Sequence, residues 1–366
     1  MTPGSAPTLA DVAAHLGVSR TTVSNAYNRP NQLSPALREK VLAAAGELGY
    51  TGPDPMARGL RRGQTGTLGL VFDQPLTYAF TDPAASLFLR GLATGLEEHA
   101  QALTLIPRMP EGPQRSAELV RSALVDGYIM FCTAGDDPRF SAVRTRGLPF
   151  VLIEYDDDPG AAVVQIDDET GAAAAARHLV DLGHRDIAIV TGYETGVVTG
   201  PEAQAGSRWH VQSGRLRGWR AGLESGGADW SGVLVSGAGG SDAAGGARAA
   251  AALLDRADRP TAILALSDVQ AIGVMRAAAE RGIDVPRDLS VVGFDDTSAA
   301  TTVWPELTTI HQPIASMADS AVDILLRSIR RKDRATRVVV DHVVPHQLVS
   351  RDSVAPPATP DGTSDH

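Results

Sequence analysis

The chain has 366 residues, of which 43% are hydrophobic and 21% are charged, and its formal net charge is −10 at pH 7. This composition is typical of a globular protein of two or three domains. The one cysteine, Cys132, excludes an internal disulfide and a cysteine-rich metal site, and its apolar neighbours predict a buried side chain. Because there is no apolar stretch of about 18 residues and no basic, apolar start, we expect a cytoplasmic protein without membrane contact.

The charge is distributed unevenly along the chain. Residues 1–65 carry a net charge of +3, and the remaining residues carry −13. A basic segment before an acidic body fits a polyanion-binding module joined to a body that does not bind polyanions.

The first predicted elements are two short helices in TLADVAAHLGVSRTTVSNAYN, residues 8–28, where apolar residues recur every three or four positions. Gly17 suits a left-handed turn between the helices, and Ser19 is a natural N-cap for the second one. Helices this short are unstable alone, so a third helix over 34–50 must complete their core. The pattern predicts a three-helix head with a helix-turn-helix at its front.

The second helix carries polar residues on its exposed face. Arg20 suits guanine, Asn25 suits adenine, and Thr21 can contact base edges or the thymine methyl group. The candidates for phosphate contacts are Ser24, Asn28, Arg29 and Gln32. The alternative is a small helical packing domain whose polar face binds nothing.

The next stretch, GPDPMARGLRRGQTG (52–66), is rich in Gly, Pro and Arg, which is typical of a flexible linker. After it, eight continuous apolar runs alternate with helical segments: TLGLVF, ALTLIP, GYIMFC, PFVLIE, DIAIVT, GVLVSG, TAILAL and SVVGFD. Such runs indicate strands buried on both faces of parallel sheets. The pattern occurs twice, at about 67–165 and 166–295, and therefore predicts two doubly wound α/β lobes with a ligand cleft at the carboxyl ends of their strands.

The head resembles the DNA-binding head of the lactose-repressor (LacI/GalR) family of bacterial transcription regulators. Body phrases such as HLVDLGHRDIAIVTG, RLRGWRAGL and SVVGFDD resemble the same family, and the resemblance covers about residues 8–350. It implies an N-terminal all-α helix-turn-helix head followed by an α/β, periplasmic-binding-protein-like body of two doubly wound parallel-sheet lobes. It also implies a homodimer that binds double-stranded operator DNA and a small-molecule effector, which we expect to be a sugar or polyol.

By the same resemblance, Arg20, Thr21 and Asn25 take the base-contacting positions. Many family members carry arginine where Asn25 stands, so their operator preference does not transfer. MARGLRR resembles the hinge helix of the family, in which a leucine wedge enters the minor groove. Leu60 is then the wedge and Arg58 and Arg61 contact phosphates, while a plain linker remains the alternative because the segment is one residue longer than usual and contains a glycine.

The effector positions implied by the resemblance are Glu154, Arg215, Ser267, Asp268 and Asp295. Asp73 and Arg108, at the ends of the first two strands, are weaker additions. Carboxylates and a guanidinium suit the hydroxyl groups of a sugar or polyol. Taken singly, each residue could equally be a helix cap or a solvated side chain. Trp209 or His210 could supply an aromatic surface that other members place elsewhere.

No nucleophile, phosphate-loop or zinc motif is present, so we expect neither an enzyme nor a cofactor nor a metal site. His184 is expected to pack in a loop, and the acidic run 156–158 to be solvated. The expected regions are a head over 1–51, a linker over 52–66, a body over 67–350 and a disordered tail over 351–366. Within the body, lobe one is expected at about 67–165 and 297–326, and lobe two at about 166–296 and 327–350.

The sequence therefore predicts a ligand-responsive transcription regulator that acts as a repressor. Two rivals remain at this stage. A solute-binding protein would share the body but not the helical head, and a sugar-modifying enzyme would need a catalytic cluster. A regulator of the same family that no longer responds to an effector is a further alternative.

Overall fold

The computed structural model describes residues 7–52, 64–72, 74–132, 137–155, 161–192, 195–207, 209–331 and 341–358. The chain divides into two units, Met1–Gly66 and Thr67–His366, and the division falls at the end of the expected linker. None of the described helices is long and apolar enough to cross a membrane.

The head is built from α1 (Leu9–Leu16), α2 (Arg20–Asn28) and α3 (Pro35–Glu47). Gly17 ends α1 with φ +67°, and the turn leads directly into α2. One apolar core joins the three helices, and its buried members are Val12, Ala13, Val23, Ala26, Val41 and Ala45. The predicted helix-turn-helix head is confirmed, because the spacing of small apolar residues brings one face of each helix into this core.

The body contains alternating helices and strands. Its helices are α4 (Tyr78–Thr81), α5 (Pro83–Glu98), α6 (Pro113–Ser122), α7 (Pro138–Arg146), α8 (Asp168–Asp181), α9 (Gly200–Gly206), α10 (His210–Glu224), α11 (Ala243–Leu254), α12 (Asp268–Ala279) and α13 (Ile314–Arg330). Its strands are β1 (Thr67–Phe72), β2 (Ala102–Ile106), β3 (Gly127–Phe131), β4 (Phe150–Ile153), β5 (Ala162–Ile166), β6 (Ile187–Thr191), β7 (Thr195–Thr199), β8 (Leu234–Ala238), β9 (Ala262–Ala265), β10 (Ser290–Val292), β11 (Thr309–His311), β12 (Asp341–Val344) and β13 (Gln347–Val349). All eight predicted apolar runs form strands.

Two sheets carry the lobes. The first has the order β12-β5-β4-β3-β1-β2 and is parallel throughout. The second has the order β10-β9-β6-β8-β7, in which only the edge strand β7 is antiparallel. In each sheet the strand order reverses next to the first strand of the lobe, which is the place where doubly wound sheets bind ligands. The predicted fold class is confirmed.

The expected lobe boundaries need correction after residue 296. The segment that we assigned to lobe two from 327 onward continues α13 to Arg330, and β12 then pairs with β5 in the first sheet. Conversely, Ala300 and Leu307 pack in the core of the second lobe, although we assigned them to lobe one. The chain therefore crosses between the lobes more than once after residue 296. The sequence did not indicate these crossings, because a short edge strand such as β12 has no long apolar run.

The tail was expected to be disordered, but residues 351–358 lie against the second lobe. The N–H of Val291 donates to the carbonyl of Ser353 at 2.9 Å, so the tail covers the free edge of β10. The buried Ser353 hydroxyl accepts from the N–H of Thr308 at 2.8 Å and donates to the Val291 carbonyl at 2.6 Å. His184 is buried, as expected, with Nε2 2.8 Å from the Ala355 carbonyl oxygen. Residues 359–366 are outside the described residues.

Candidate DNA-binding helix and ligand cavity

The helix α2 is held by caps and by its apolar face. The Ser19 hydroxyl accepts from the N–H of Thr22 at 3.0 Å, which begins the helix at Arg20. Val23 and Ala26 are fully buried against the other two helices. The opposite face of α2 is therefore the one that can enter a major groove.

The five candidate DNA-contacting residues of α2 differ in exposure. Arg20 and Thr21 are exposed in the first turn, whereas Ser24, Asn25 and Asn28 are partly buried. The Asn25 amide donates to Gln32 Oε1 at 3.1 Å, and the Asn28 amide donates to the Ser24 carbonyl at 3.0 Å. Arg20 and Thr21 are thus the most accessible to a base edge, while Asn25 would exchange a partner on binding.

Four other predicted site residues and one acidic run cannot be placed in this way. Arg58, Leu60 and Arg61 of the expected hinge lie outside the described residues, as do Asp73 and the acidic run 156–158. Their roles stay predictions.

A cavity of about 110 Å³ lies at the carboxyl ends of strands of both lobes. Its lining includes Glu154, which follows β4, and Arg215 of α10, Ser267 before α12, and Asp295 after β10. The structure therefore brings together four of the predicted ligand-binding residues.

Arg215 is held in place by the close approach of α8 and α10. Gly214, Gly218 and Gly222 of α10 face α8, and a Cβ on Gly218 would lie only 2.1 Å from the backbone oxygen of Glu169. This approach lets Arg215 Nε donate to Asp168 Oδ1 at 2.7 Å. The guanidinium also donates through Nη1 to the Leu266 carbonyl and lies 3.7 Å from Asp295 Oδ1.

The charge of Arg215 is balanced by these neighbours. Its guanidinium carbon stands 3.6 Å from the centre of the Phe294 ring. Burial by itself lowers the pKa of Arg215, but the charges of Asp168 and Asp295 outweigh this effect and raise it. The guanidinium is therefore a permanent donor at the wall of the cavity.

Glu154 and Asp295 are buried carboxyl groups. Burial, followed by the charge of Asp168, raises the pKa of Glu154 well above its ordinary value, and Arg215 opposes this rise. Burial also raises the pKa of Asp295, again against the effect of Arg215. Both residues have positive φ, +52° and +116°, which is uncommon for residues other than glycine and recurs at functional sites.

Comparison with known proteins agrees with this arrangement. Residues 8–52 match the family model described as bacterial regulatory proteins, lacI family, and residues 176–354 match a periplasmic binding protein-like domain. An HTH-type transcriptional regulator of Mycolicibacterium smegmatis is 39% identical over 320 residues, which span 84% of this chain and 86% of that protein. The ribose operon repressor of Escherichia coli is 33% identical over 329 residues, spanning 88% of this chain and 93% of that protein.

The chain belongs to the lacI family of bacterial regulatory proteins.

Solved structures of LacI-family proteins show the same fold. The lac repressor dimer bound to operator and the anti-inducer ONPF matches with a TM-score of 0.76 and 28% identity, covering 96% of this chain and all of that one. A complex of the transcriptional regulator CelR with cellobiose matches with a TM-score of 0.70 and 29% identity, covering 95% and 99%. This protein is accordingly a LacI-family transcriptional regulator with a helix-turn-helix DNA-binding head.

Two residues that we expected to contact the effector of this LacI-family regulator do not line its cavity. Asp268 is fully buried beneath it, where Oδ2 accepts from the N–H of Thr297 at 2.7 Å and Oδ1 accepts from the Thr309 hydroxyl at 2.5 Å. Arg108 is exposed after β2. The correction has a simple cause: a residue next to a strand end can point either into the cleft or back into its own lobe.

The cavity is also lined by residues that the sequence analysis did not assign to it. Gln312 donates to Asp295 Oδ1 at 2.7 Å and so orients that carboxyl group. Phe88 and Phe131 form part of an apolar wall, with their ring centres 4.5 Å apart. Gln312 lies in the phrase PELTTIHQP, which resembles the family and could have identified it. The phenylalanines carried no such indication, because buried aromatic residues are common in any core.

Three further residues that line the cavity were not assigned to the ligand site with certainty or at all by the sequence analysis. Trp209 and His210 both line the cavity at the start of α10, and the suggestion that one of them stacks on the ligand stays a prediction. Cys132 is only partly buried and also lines the cavity, so the expectation of a buried core side chain was wrong. The cysteine follows directly after β3, where the chain leaves the core.

Proposed function

We propose that this LacI-family regulator is a cytoplasmic repressor that binds a palindromic operator as a homodimer, and that a sugar-like molecule in the cavity changes its operator affinity. Arg20, Thr21 and Asn25 would contact bases, and Ser24 and Asn28 would contact phosphates. Arg58, Leu60 and Arg61 would form a hinge on the minor groove and its phosphates. A dimer is expected because one head covers only a few base pairs and twofold symmetry matches a palindrome.

The observation that carries the effector proposal is the placement of Arg215 between Asp168 and Asp295 at the wall of the cavity. The guanidinium donates from a fixed position, and the carboxyl groups of Glu154 and Asp295 offer acceptors within the same small space. Vicinal hydroxyl groups both donate and accept, so they can satisfy this set together. A phosphorylated ligand would meet a surplus of carboxyl groups and is disfavoured for that reason.

The relatives support the same class of ligand. The CelR structure contains cellobiose, and one relative is named a ribose operon repressor. If a ligand closes the cleft, it changes the geometry of the heads, and the affinities for ligand and operator are then thermodynamically linked. The linkage has the same magnitude in both directions.

Thermal unfolding with a panel of monosaccharides, disaccharides and polyols tests the effector proposal. A ligand at 100 times its Kd adds about 2.7 kcal/mol to the free energy of unfolding. We expect Arg215→Ala to abolish this gain and Arg217→Ala to retain it, since Arg217 is exposed on the same helix and pairs with Glu169 at 2.8 Å. Glu154→Gln keeps the side-chain shape and serves if Arg215→Ala does not fold. Equal stabilisation of all three variants would place the ligand elsewhere.

Operator binding by the full chain tests the DNA-binding part of the proposal. A random-site selection should return a palindrome, and fluorescence anisotropy should show that saturating ligand changes its affinity. A solute-binding protein would return no consensus. An effector-insensitive regulator would bind the palindrome with the same affinity at every ligand concentration.

A further inference from the structure

Three side chains that could ligate a metal meet at one side of the cavity. Glu154 follows β4 of the first sheet, Asp168 begins α8, and His210 begins α10. One ligand atom from each residue lies within 4.8 Å of the other two. The three positions are far apart in sequence, and only the approach of α8, α10 and β4 brings them together.

The distances suit a single ion. Oxygen ligands surround a divalent cation at about 2.0 to 2.6 Å, so two ligands on opposite sides of one ion can be about 4.8 Å apart. An ion between the three side chains can therefore reach all of them with small side-chain adjustments.

Two buried oxygen atoms point to a bound cation independently of this spacing. Glu154 Oε2 and Asp168 Oδ2 accept no hydrogen bond from an N–H or hydroxyl group of the described residues, although the two residues are only 6% and 3% exposed, and the two carboxyl groups lie close enough to share a proton or a cation. Their other oxygens are occupied, since Ile166 N–H donates to Glu154 Oε1 at 3.3 Å and Arg215 to Asp168 Oδ1 at 2.7 Å. Leaving a buried carboxylate oxygen without a partner is costly, and a cation or a shared proton removes the cost.

The local charge favours the cation. Glu154, Asp168 and Asp295 are three buried carboxyl groups around one guanidinium, that of Arg215. Burial favours a proton on Glu154, and a divalent ion bound there would replace that proton and offset the charge of the carboxylates. His210 supplies a third, nitrogen donor at the side that faces the cavity.

We propose that Glu154, Asp168 and His210 bind one divalent transition-metal ion whose remaining coordination positions face the cavity. One imidazole and two carboxylates form a donor set that suits Zn²⁺ or Mn²⁺ better than Mg²⁺. Hydroxyl groups of a ligand in the cavity would complete the coordination. The ion would then link the first lobe, through Glu154, to the second lobe, through Asp168 and His210.

Mn²⁺ titration of the chelator-treated full chain, followed by electron paramagnetic resonance, tests the site. We expect one Mn²⁺ per chain, at least tenfold weaker binding in Glu154→Gln and in His210→Gln, and displacement of Mn²⁺ by Zn²⁺. His99→Gln is the matched control, because His99 lies 3.5 Å from Asp323 in a partly exposed pair and should not contribute. Thermal unfolding of each variant checks that it is folded.

Two results would overturn the proposal. Mn²⁺ binding that is equally strong in Glu154→Gln and His210→Gln would mean an adventitious surface site. No binding at millimolar Mn²⁺ would mean that Glu154 and Asp168 share a proton instead. The titration needs neither effector nor DNA, so its failure leaves the proposed function standing, and failure of the sugar panel leaves the metal site standing.

Discussion

Replacing Asp268 by Asn should change the pH dependence of stability in a defined way. Burial raises the pKa of Asp268 to about 6, against the hydrogen bonds from Thr309 and Thr297, which lower it. The folded state therefore holds this proton more tightly than the unfolded state, in which the pKa has its ordinary value of 3.8. The free energy of unfolding must then fall as the pH rises from about 4 to about 6.

The size of the effect follows from the two pKa values. Their difference of about 2 corresponds to about 3 kcal/mol, of which about 2 kcal/mol falls between about pH 4.5 and pH 7.5. An asparagine has no proton to lose. Its amide oxygen can still accept from Thr297, and its amide nitrogen faces the Thr309 hydroxyl.

Urea unfolding of the wild type and Asp268→Asn across this pH range measures the difference. We expect the stability of the wild type relative to the variant to fall by about 2 kcal/mol as the pH rises. Asp181→Asn, which removes an exposed carboxyl group at the end of α8, controls for the change of net charge and should run parallel to the wild type. Parallel curves for Asp268→Asn as well would refute the assignment of a raised pKa. The ligand affinity of the Asp268→Asn variant should equal that of the wild type, since Asp268 does not line the cavity.

Three further outcomes are expected. Arg20→Ala should relax base preference at one operator position by about 1–3 kcal/mol in a random-site selection, whereas Lys40→Ala, an exposed cation on α3, should leave the preference intact. Gly218→Ala should destabilise the body by about 1–3 kcal/mol in thermal unfolding, because its Cβ would clash with α8, while Gly206→Ala, which meets no atom within 4 Å, should cost less. Ser353→Ala should lower the free energy of unfolding by about 1–3 kcal/mol, since it leaves a buried backbone N–H without its acceptor, and an unchanged stability would return the tail to a minor role.

The sequence predicted the elements whose determinants are local. Gly17 and Ser19 mark the turn of the head because each acts on its own backbone within a few residues. The eight apolar runs predict buried strands because burial on both faces removes the polar alternation of an exposed strand. The family resemblance then identified Arg215 and Asp295, which the structure does place at the cavity.

The strands that the sequence analysis did not predict lack such a local pattern. β5 contains Gln165 within an otherwise apolar run, and β12 is a short edge strand after a long interval. The tail is similar: its proline-rich composition indicates disorder, yet a hydroxyl at Ser353 and a carbonyl at Ala355 satisfy buried groups of the second lobe. Composition cannot report a partner that is more than 40 residues away in the chain.

By itself the sequence determined the helix-turn-helix head and the doubly wound lobes, because these depend on spacing within single elements, and its resemblance to known regulators indicated the family. Only the tertiary structure decided which carboxyl groups reach the cavity. Asp268 turns into its own lobe, whereas Asp168, which no motif singled out, holds Arg215 at 2.7 Å. The physical reason is that a side chain's partner is set by how closely two elements approach, and here the glycines of α10 set that distance.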